Sequence, residues 1–200
     1  MRNLEITQAI KNRDWSALSA LDLKNQNLSY LTFKGAALNN LDFSGTNLEG
    51  ANLEGANLIG ANLIRANLVR ANLKGADLRG ADLKGANLIR ANLRDANFTN
   101  ANLKCADLRC ANFTNAVLTN ATFENNSYHD TIGNGREIVT LLLKKYTVVI
   151  VDKDMQIGCK KYTIDEWNNF SDDEIDKMDY GALEWWKINK NIIFDVIKKR

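Results

Sequence analysis

Residues 46–125 repeat one five-residue pattern sixteen times: a small residue, Asn or Asp, Leu or Phe, then two variable positions. The same frame reaches back through LDLKN QNLSY LTFKG AALNN LDFSG, so 21 units run from 21 to 125 without a slip. The third position is Leu or Phe in every unit. A fixed period constrains the fold before any local propensity does. An α-helix turns about 100° per residue and would scatter these Leu residues around its surface. A strand alternates with period two, and five is odd, so one long flat strand fails as well. A chain that turns a corner every five residues fits. The first and third positions then point inward from a short extended segment, and the fourth and fifth cover the bend. Gly recurs at the fifth position in eight units, where a bend needs unusual dihedrals.

This A(D/N)LXX tandem resembles the pentapeptide-repeat proteins. The resemblance implies a mainly β fold, a right-handed quadrilateral β-helix with four pentapeptides per coil, so that residues 20 apart stack. The absence of proline agrees with a backbone whose N–H groups are needed between coils. The second position is Asn or Asp except at Thr32, Ala37, Val117 and Thr122. Such side chains hydrogen-bond nearby backbone and hold bends, a structural role.

The expected organisation has four parts. Residues 1–20 form a helical cap, with Leu4, Ile6, Ile10, Trp15, Leu18 and Leu21 as its apolar side and Asp14 opening a second turn of helix. Residues 21–125 form the repeat rod. Its first coils carry Leu21, Leu31 and Leu41 in place of the inward Ala, which fills extra volume near an end. A linker follows at 126–136. Residues 137–200 form a small α+β domain, with strands over 138–143, 146–151 and 155–159 and a turn at 152–154. Capping boxes at Thr163/Glu166 and Ser171/Glu174 open two helices. A last helix over 180–199 sets Leu183, Trp185, Ile188, Ile192, Ile193, Val196 and Ile197 on one face. The tail is similar to an extension found on pentapeptide-repeat proteins of tailed phages and bacteria, and it is expected to block the end-to-end dimerisation open to members with a naked last coil. A monomer or weak oligomer follows.

No constellation of catalytic residues is visible, and no cofactor or metal site is expected. His129 is the one histidine and reads as a junction residue. Cys105, Cys110 and Cys159 lack metal-ligand spacing and are too few for a disulfide framework. The GNG at 133–135 lacks the length and the Lys of a phosphate loop. KKY occurs at 144–146 and 160–162, a weak candidate for a polyanion, and Trp185 reads as core rather than as a base-stacking residue. The first residues lack the apolar stretch of a secretory signal, and no apolar run is long enough to span a bilayer, so a cytoplasmic protein is expected.

Function is therefore sought in the variable positions. Stacking by 20 places Ser29, Glu49, Val69, Ile89 and Arg109 in one outward column, with Tyr30, Gly50, Arg70, Arg90 and Cys110 beside it. Ile59 and Ile64 precede Val69 on faces read as its neighbours, and Lys74 and Arg94 are read as the opposite face. Branched apolar groups flanked by arginines suit a protein-binding surface, made of Ile64, Val69, Arg70, Ile89, Arg90 and Arg109. The resemblance also implies an alternative, since some members mimic duplex DNA and occupy DNA gyrase. That reading needs an acidic rod, whereas residues 21–125 hold 11 Lys and Arg against 9 Asp and Glu. A third reading is a phage-encoded inhibitor or counter-defence factor acting on a host protein. Direct nucleic-acid binding is not expected.

Overall fold

The computed structural model describes residues 2–123, 126–127, 131, 133, 138–143, 146–151 and 153–198. Two helices, α1 (Arg2–Asn12) and α2 (Trp15–Ser19), precede the repeats. The repeats coil so that parallel bridges join residues 20 apart, from Asn27↔Asn47 to Asp107↔Ser127. Each circuit holds four short extended segments and four turns. All twenty third positions from Leu23 to Leu118 are buried, as is Ala at the first position throughout the middle of the array. Burial of each Leu contributes roughly 1.5–3 kcal/mol in transfer terms.

The five backbone N–H groups of a unit all find acceptors. In the unit from Ala66 to Arg70, the Ala66 N–H closes a turn onto the Leu63 carbonyl at 3.0 Å, and Asn67 donates to Thr46 in the preceding coil at 2.9 Å. Leu68 and Arg70 donate forward to Asn87 and Ile89, at 2.7 and 2.9 Å. The remaining donor, on Val69, is taken by the Asn67 side chain at 3.2 Å. This fifth bond explains the second position, because an Asn or Asp side chain readily accepts from the backbone two residues on, more strongly than Ser or Thr. The amide of Asn67 also donates to Asn47 one coil back at 3.0 Å, so the same residues build ladders along the rod. Asp42 takes part as a carboxylate. Burial alone pushes its carboxyl up, but hydrogen bonds from the Ser44 side chain and backbone, with Lys24 alongside, outweigh that and bring it down to about 2.

Every fifth position from Asn25 to Asn120 has a φ near +60°, while the fourth does not. Positive φ at only the third residue of a hydrogen-bonded turn is the type II pattern. Glycine is favoured there for its backbone, and at some sites also for space. A Cβ on Gly50 would lie 2.5 Å from the ring of Tyr30, which covers it, and one on Gly45 would collide with Asn25 Oδ1.

Both ends of the apolar core are covered. Ile6, Ala9, Ile10 and Leu18 join the core of the first coil, with Leu21, Leu31 and Leu41 packed against it. Trp15 lies 6.4 Å from Phe33 between ring centroids. Asp14 caps α2 by accepting from the Ala17 N–H at 2.9 Å. Leu4, read as part of the apolar side, is exposed instead, since α1 turns that flank outward.

At the other end the coil outlasts its motif. Ser127 still pairs with Asp107, Asn126 is buried at a first position, and the Thr131 hydroxyl donates to the Leu108 carbonyl. That bond repeats the one from Thr46 to Leu23, at the same spacing of 23 residues. The segment read as a linker therefore starts in register with the rod. His129, the turn residue Asp152 and the first Lys-Lys pair at 144–145 lie outside the described residues.

The tail forms an antiparallel sheet of β1 (Ile138–Leu143), β2 (Tyr146–Val151), β3 (Asp154–Ile157) and β4 (Lys160–Thr163), in that order. Strand β4 was not expected, and β3 starts one residue and ends two residues before the 155–159 reading. The sheet is apolar on both sides. Ile138, Val149 and Val151 belong to the core of the rod, whereas Val139, Val148, Ile150 and Met155 face three helices. These are α3 (Ile164–Asn169), α4 (Asp172–Asp176) and α5 (Ala182–Lys198). Both capping boxes are present, on Thr163 and Ser171. Helix α5 buries Ala182, Trp185, Trp186 and Ile193, while Ile188 and Ile192 are exposed. The expected face is thus rotated, because Trp186 packs against Trp167 and Phe194 at centroid distances of 5.5 and 6.2 Å and sets the buried side. In the second KKY, Tyr162 packs on Trp167 and Phe170, and Lys161 pairs with Asp154 while donating to the Asn126 carbonyl at 3.0 Å.

Candidate protein-binding surface

The column proposed from sequence is a hydrogen-bonded stack. Gly50 donates to the Val69 carbonyl at 2.8 Å, Arg70 to Ile89 at 2.9 Å and Arg90 to Arg109 at 3.0 Å. Glu49, Val69, Ile89 and Arg109 therefore succeed one another at about 4.8 Å, the spacing of paired strands. The backbone of each corner is pinned from inside the unit, because Val69, Ile89 and Arg109 donate to the side chains of Asn67, Asn87 and Asp107.

The side chains differ from the sequence reading in three ways. Ile64, Val69 and Ile89 are half-buried rather than fully outward, since a fourth-position residue is covered above and below by its neighbours 20 positions away. Arg109 is exposed but engaged: its Nε and Nη2 bond both oxygens of Asp107, at 2.6 to 3.1 Å. The faces also need reassignment. With four corners per 20 residues, Ile64 is on the corner next to Val69, but Ile59 is on the opposite one. Lys74 and Arg94, read as opposite, stack on the adjacent corner, where Gly75 donates to Arg94.

Arg70 and Arg90 carry a feature that sequence reasoning missed. Both are exposed and hold φ of 56° and 59° at the fifth position, and Arg65 on the adjoining corner holds 56°. A side chain with a Cβ costs about 1–2 kcal/mol in this left-handed region, where glycine costs nothing extra. Eight units use glycine and five use Asn, which tolerates the geometry; the arginines, Tyr30, Asp95, Cys105 and Cys110 do not fall into either class. The signal was available in the sequence as the non-Gly, non-Asn fifth positions. Tyr30 is 70% exposed, and its hydroxyl donates to Glu49 at 3.1 Å at the head of the same column. Apart from Tyr30, the exposed large apolar residues among the described residues lie elsewhere, at Leu4, Val117, Tyr180, Ile188 and Ile192.

Three further ion pairs lie on the surface of the rod. Lys24 meets Asp42 at 3.1 Å, Lys34 meets Glu54 at 3.2 Å, and Arg79 meets Asp77 at 2.7 Å. Exposed pairs of this kind add little to stability, because solvent and salt screen them. No helix among the described residues is long and apolar enough to cross a membrane.

Comparison with known proteins bears on the rod. The family model described as pentapeptide repeats matches in eight copies, over residues 18–55, 46–85, 56–95 and 96–125, which together exceed half of the chain. No curated protein matches. Among solved structures, alr5209, a pentapeptide repeat protein from Nostoc PCC 7120, is 30% identical over 62% of this chain and 94% of that one, with a TM-score of 0.44. The pentapeptide repeat protein Rfr23 from the cyanobacterium Cyanothece 51142 is 26% identical over 56% and 83%, with a TM-score of 0.35. Trypsin-treated QnrB1, a plasmid-mediated fluoroquinolone resistance protein, is 22% identical over 55% and 66%, with a TM-score of 0.38.

Proposed function

The chain belongs to the pentapeptide-repeat family, and from that premise we propose that it is a non-catalytic interaction protein that presents one corner of a rigid rod to a protein partner. Members of the family are generally structural or interaction proteins. The proposal takes the rod as a right-handed quadrilateral β-helix over 21–125, with a cap at 1–20, a junction at 126–136 and a tail at 137–200, working in the cytoplasm. The contact centres on Val69 and Ile89, with Ile64 on the next corner and Arg70, Arg90 and Arg109 around them.

The observation that carries the reading is the backbone of Arg70 and Arg90. Two bulky side chains stand where the repeat's own glycine would relieve strain, and backbone outliers of this kind cluster at functional positions. They flank stacked apolar groups on a surface whose other corners are mostly Lys, Thr, Asn and Gly. Arginine beside partly covered aliphatics is the composition of a protein contact. A duplex-DNA mimic would need an outward acidic stripe, and Glu49 and Asp107 are the acids of this column and its face, the latter already bonded to Arg109.

The test replaces both arginines with glycine. Arg70→Gly with Arg90→Gly should leave thermal stability unchanged or raise it, by up to about 1 kcal/mol per site, because relief of the left-handed strain is partly offset by the chain entropy glycine loses on folding. Affinity capture followed by mass spectrometry should nevertheless show the principal partner reduced at least threefold. A variant that captures as well as the parent removes the arginines from the contact.

A further inference from the structure

The second position of the repeat breaks its own rule beside the N-terminal cap. Asn27 and Asp42 accept from the backbone N–H two residues on, of Ser29 and Ser44, at 3.2 and 2.9 Å. Thr32, in the same place between them, makes no such bond. Neither its hydroxyl nor the Lys34 backbone N–H has a hydrogen-bond partner among the described residues. The other exceptions differ: Ala37 and Val117 carry no polar group, and the Thr122 hydroxyl donates to Asn102 at 3.2 Å.

Thr32 and Lys34 line a crevice of about 470 Å³ between the helical cap and the first coil. That volume is in the range of small-molecule sites, about 300–1,000 Å³. Lys11, Arg13 and Lys34 bring three cations to its lining, and no Asp or Glu lines it among the described residues. Lys34 meets Glu54 at 3.2 Å, whereas Lys11 and Arg13 have no ion pair among the described residues. Trp15 and Leu31 supply an apolar wall. Packing on Phe33 holds the Trp15 ring, and Leu31 stands where most units have Ala.

We propose that this crevice binds a small phosphate monoester carrying a flat ring, with the phosphate among the cations and Thr32 and the ring against Trp15. Hydrogen bonds from guanidinium and ammonium groups to phosphate are roughly twice as strong as neutral ones. Two neutral donors stand in the same lining. In the neighbouring units the fourth N–H points at the second side chain, so the Lys34 N–H points at Thr32, whose hydroxyl is itself unpaired. A carboxylate brings a single charge, whereas a phosphate monoester brings about −1.5 to −2 and three acceptor oxygens, a better match to three cations. An aromatic ring gains area and an offset contact on the indole. The proposal is independent of the Val69 and Ile89 corner, which the variants below leave untouched.

The experiment is calorimetric titration of the full chain at low salt with phenyl phosphate and inorganic phosphate. Phenyl phosphate should bind about tenfold more tightly, a difference of about 1.4 kcal/mol. Lys11→Gln with Arg13→Asn removes the two unpaired charges from exposed positions, and Asn suits the φ of 54° that Arg13 holds. That pair should weaken phenyl phosphate at least tenfold. Lys74→Gln with Arg94→Gln removes the same charge elsewhere on the rod and should leave the affinity within about twofold. Thr32→Asn restores the acceptor of the other units, which takes up the Lys34 N–H and removes the hydroxyl. It should weaken binding at least threefold while the melting temperature holds or rises. The proposal is overturned if phenyl phosphate shows no binding up to about 10 mM, a range that still registers millimolar affinity. Equal affinity for inorganic phosphate, equal weakening by the two charge-removing pairs, or unchanged binding by Thr32→Asn overturns it as well.

Discussion

Ending the chain after Ser127 should turn it into a protein that self-associates at micromolar concentration, while the full chain sediments as a smaller species. The sheet of the tail is what closes the rod. Ile138, Val149 and Val151 are buried in the same core as the last coils. Three such side chains withdraw roughly 5–9 kcal/mol of transfer free energy, at about 1.5–3 kcal/mol each. Their removal bares Leu118, Phe123 and the rim of the final circuit, where backbone donors and acceptors would have no partner. An open sheet edge of that kind is a template for a second chain. Lys161 reinforces the closure through the Asn126 carbonyl. Sedimentation velocity across a concentration series provides the check. A truncated chain as monomeric and soluble as the parent would show that the tail is not a cap.

Replacing Val69 and Ile89 together with Glu should weaken capture of the principal partner by tenfold or more. The two residues stack directly, so the change puts a pair of carboxylates about 4.8 Å apart in one column, below Glu49. Half-burial limits the cost to the fold, because each new side chain can swing outward from a corner whose backbone is held by Asn67 and Asn87. A partner surface complementary to aliphatic groups and arginines would instead meet a desolvated negative charge. Loss of about 1.4 kcal/mol accounts for each factor of ten. The control is Arg79→Glu with Thr99→Glu on the opposite corner, which should leave capture within about twofold, as expected of solvated surface changes. Circular dichroism of both variants should keep the parent's β signal.

Much of the rod was legible because its determinants are local and repeated. A period of five with an invariant inward third position leaves few alternatives, and the Asn that accepts from the backbone two residues on can be read within a single unit. The capping boxes at Thr163 and Ser171 were legible for the same reason, since each signal spans four residues. What failed depends on distant partners. Strand β4 carries two lysines in four residues, and only pairing with β3 and contact with Asn126 make Lys160–Thr163 a strand. The buried side of α5 is chosen by Trp167, nearly twenty residues earlier. The half-burial of the candidate corner was hidden in a similar way. Its residues were correctly grouped by the count of 20, but the cover on Val69 and Ile89 comes from other coils. The left-handed backbone of Arg70 and Arg90 was hidden because eight glycines made the fifth position look like a place only for glycine.

On the proposed reading, the corner of Val69 and Ile89, with Ile64 on the next one, meets a protein while the rest of the rod's surface does not. Hydroxyl-radical footprinting of the captured complex against the free chain tests it directly. Protection should fall on Ile64, Val69, Arg70, Ile89 and Arg90, while Ile59 and Arg79 on the opposite corner label as in the free chain. Protection of Ile59 and Arg79, with Val69 and Ile89 labelled as before, would put the contact on the opposite corner instead.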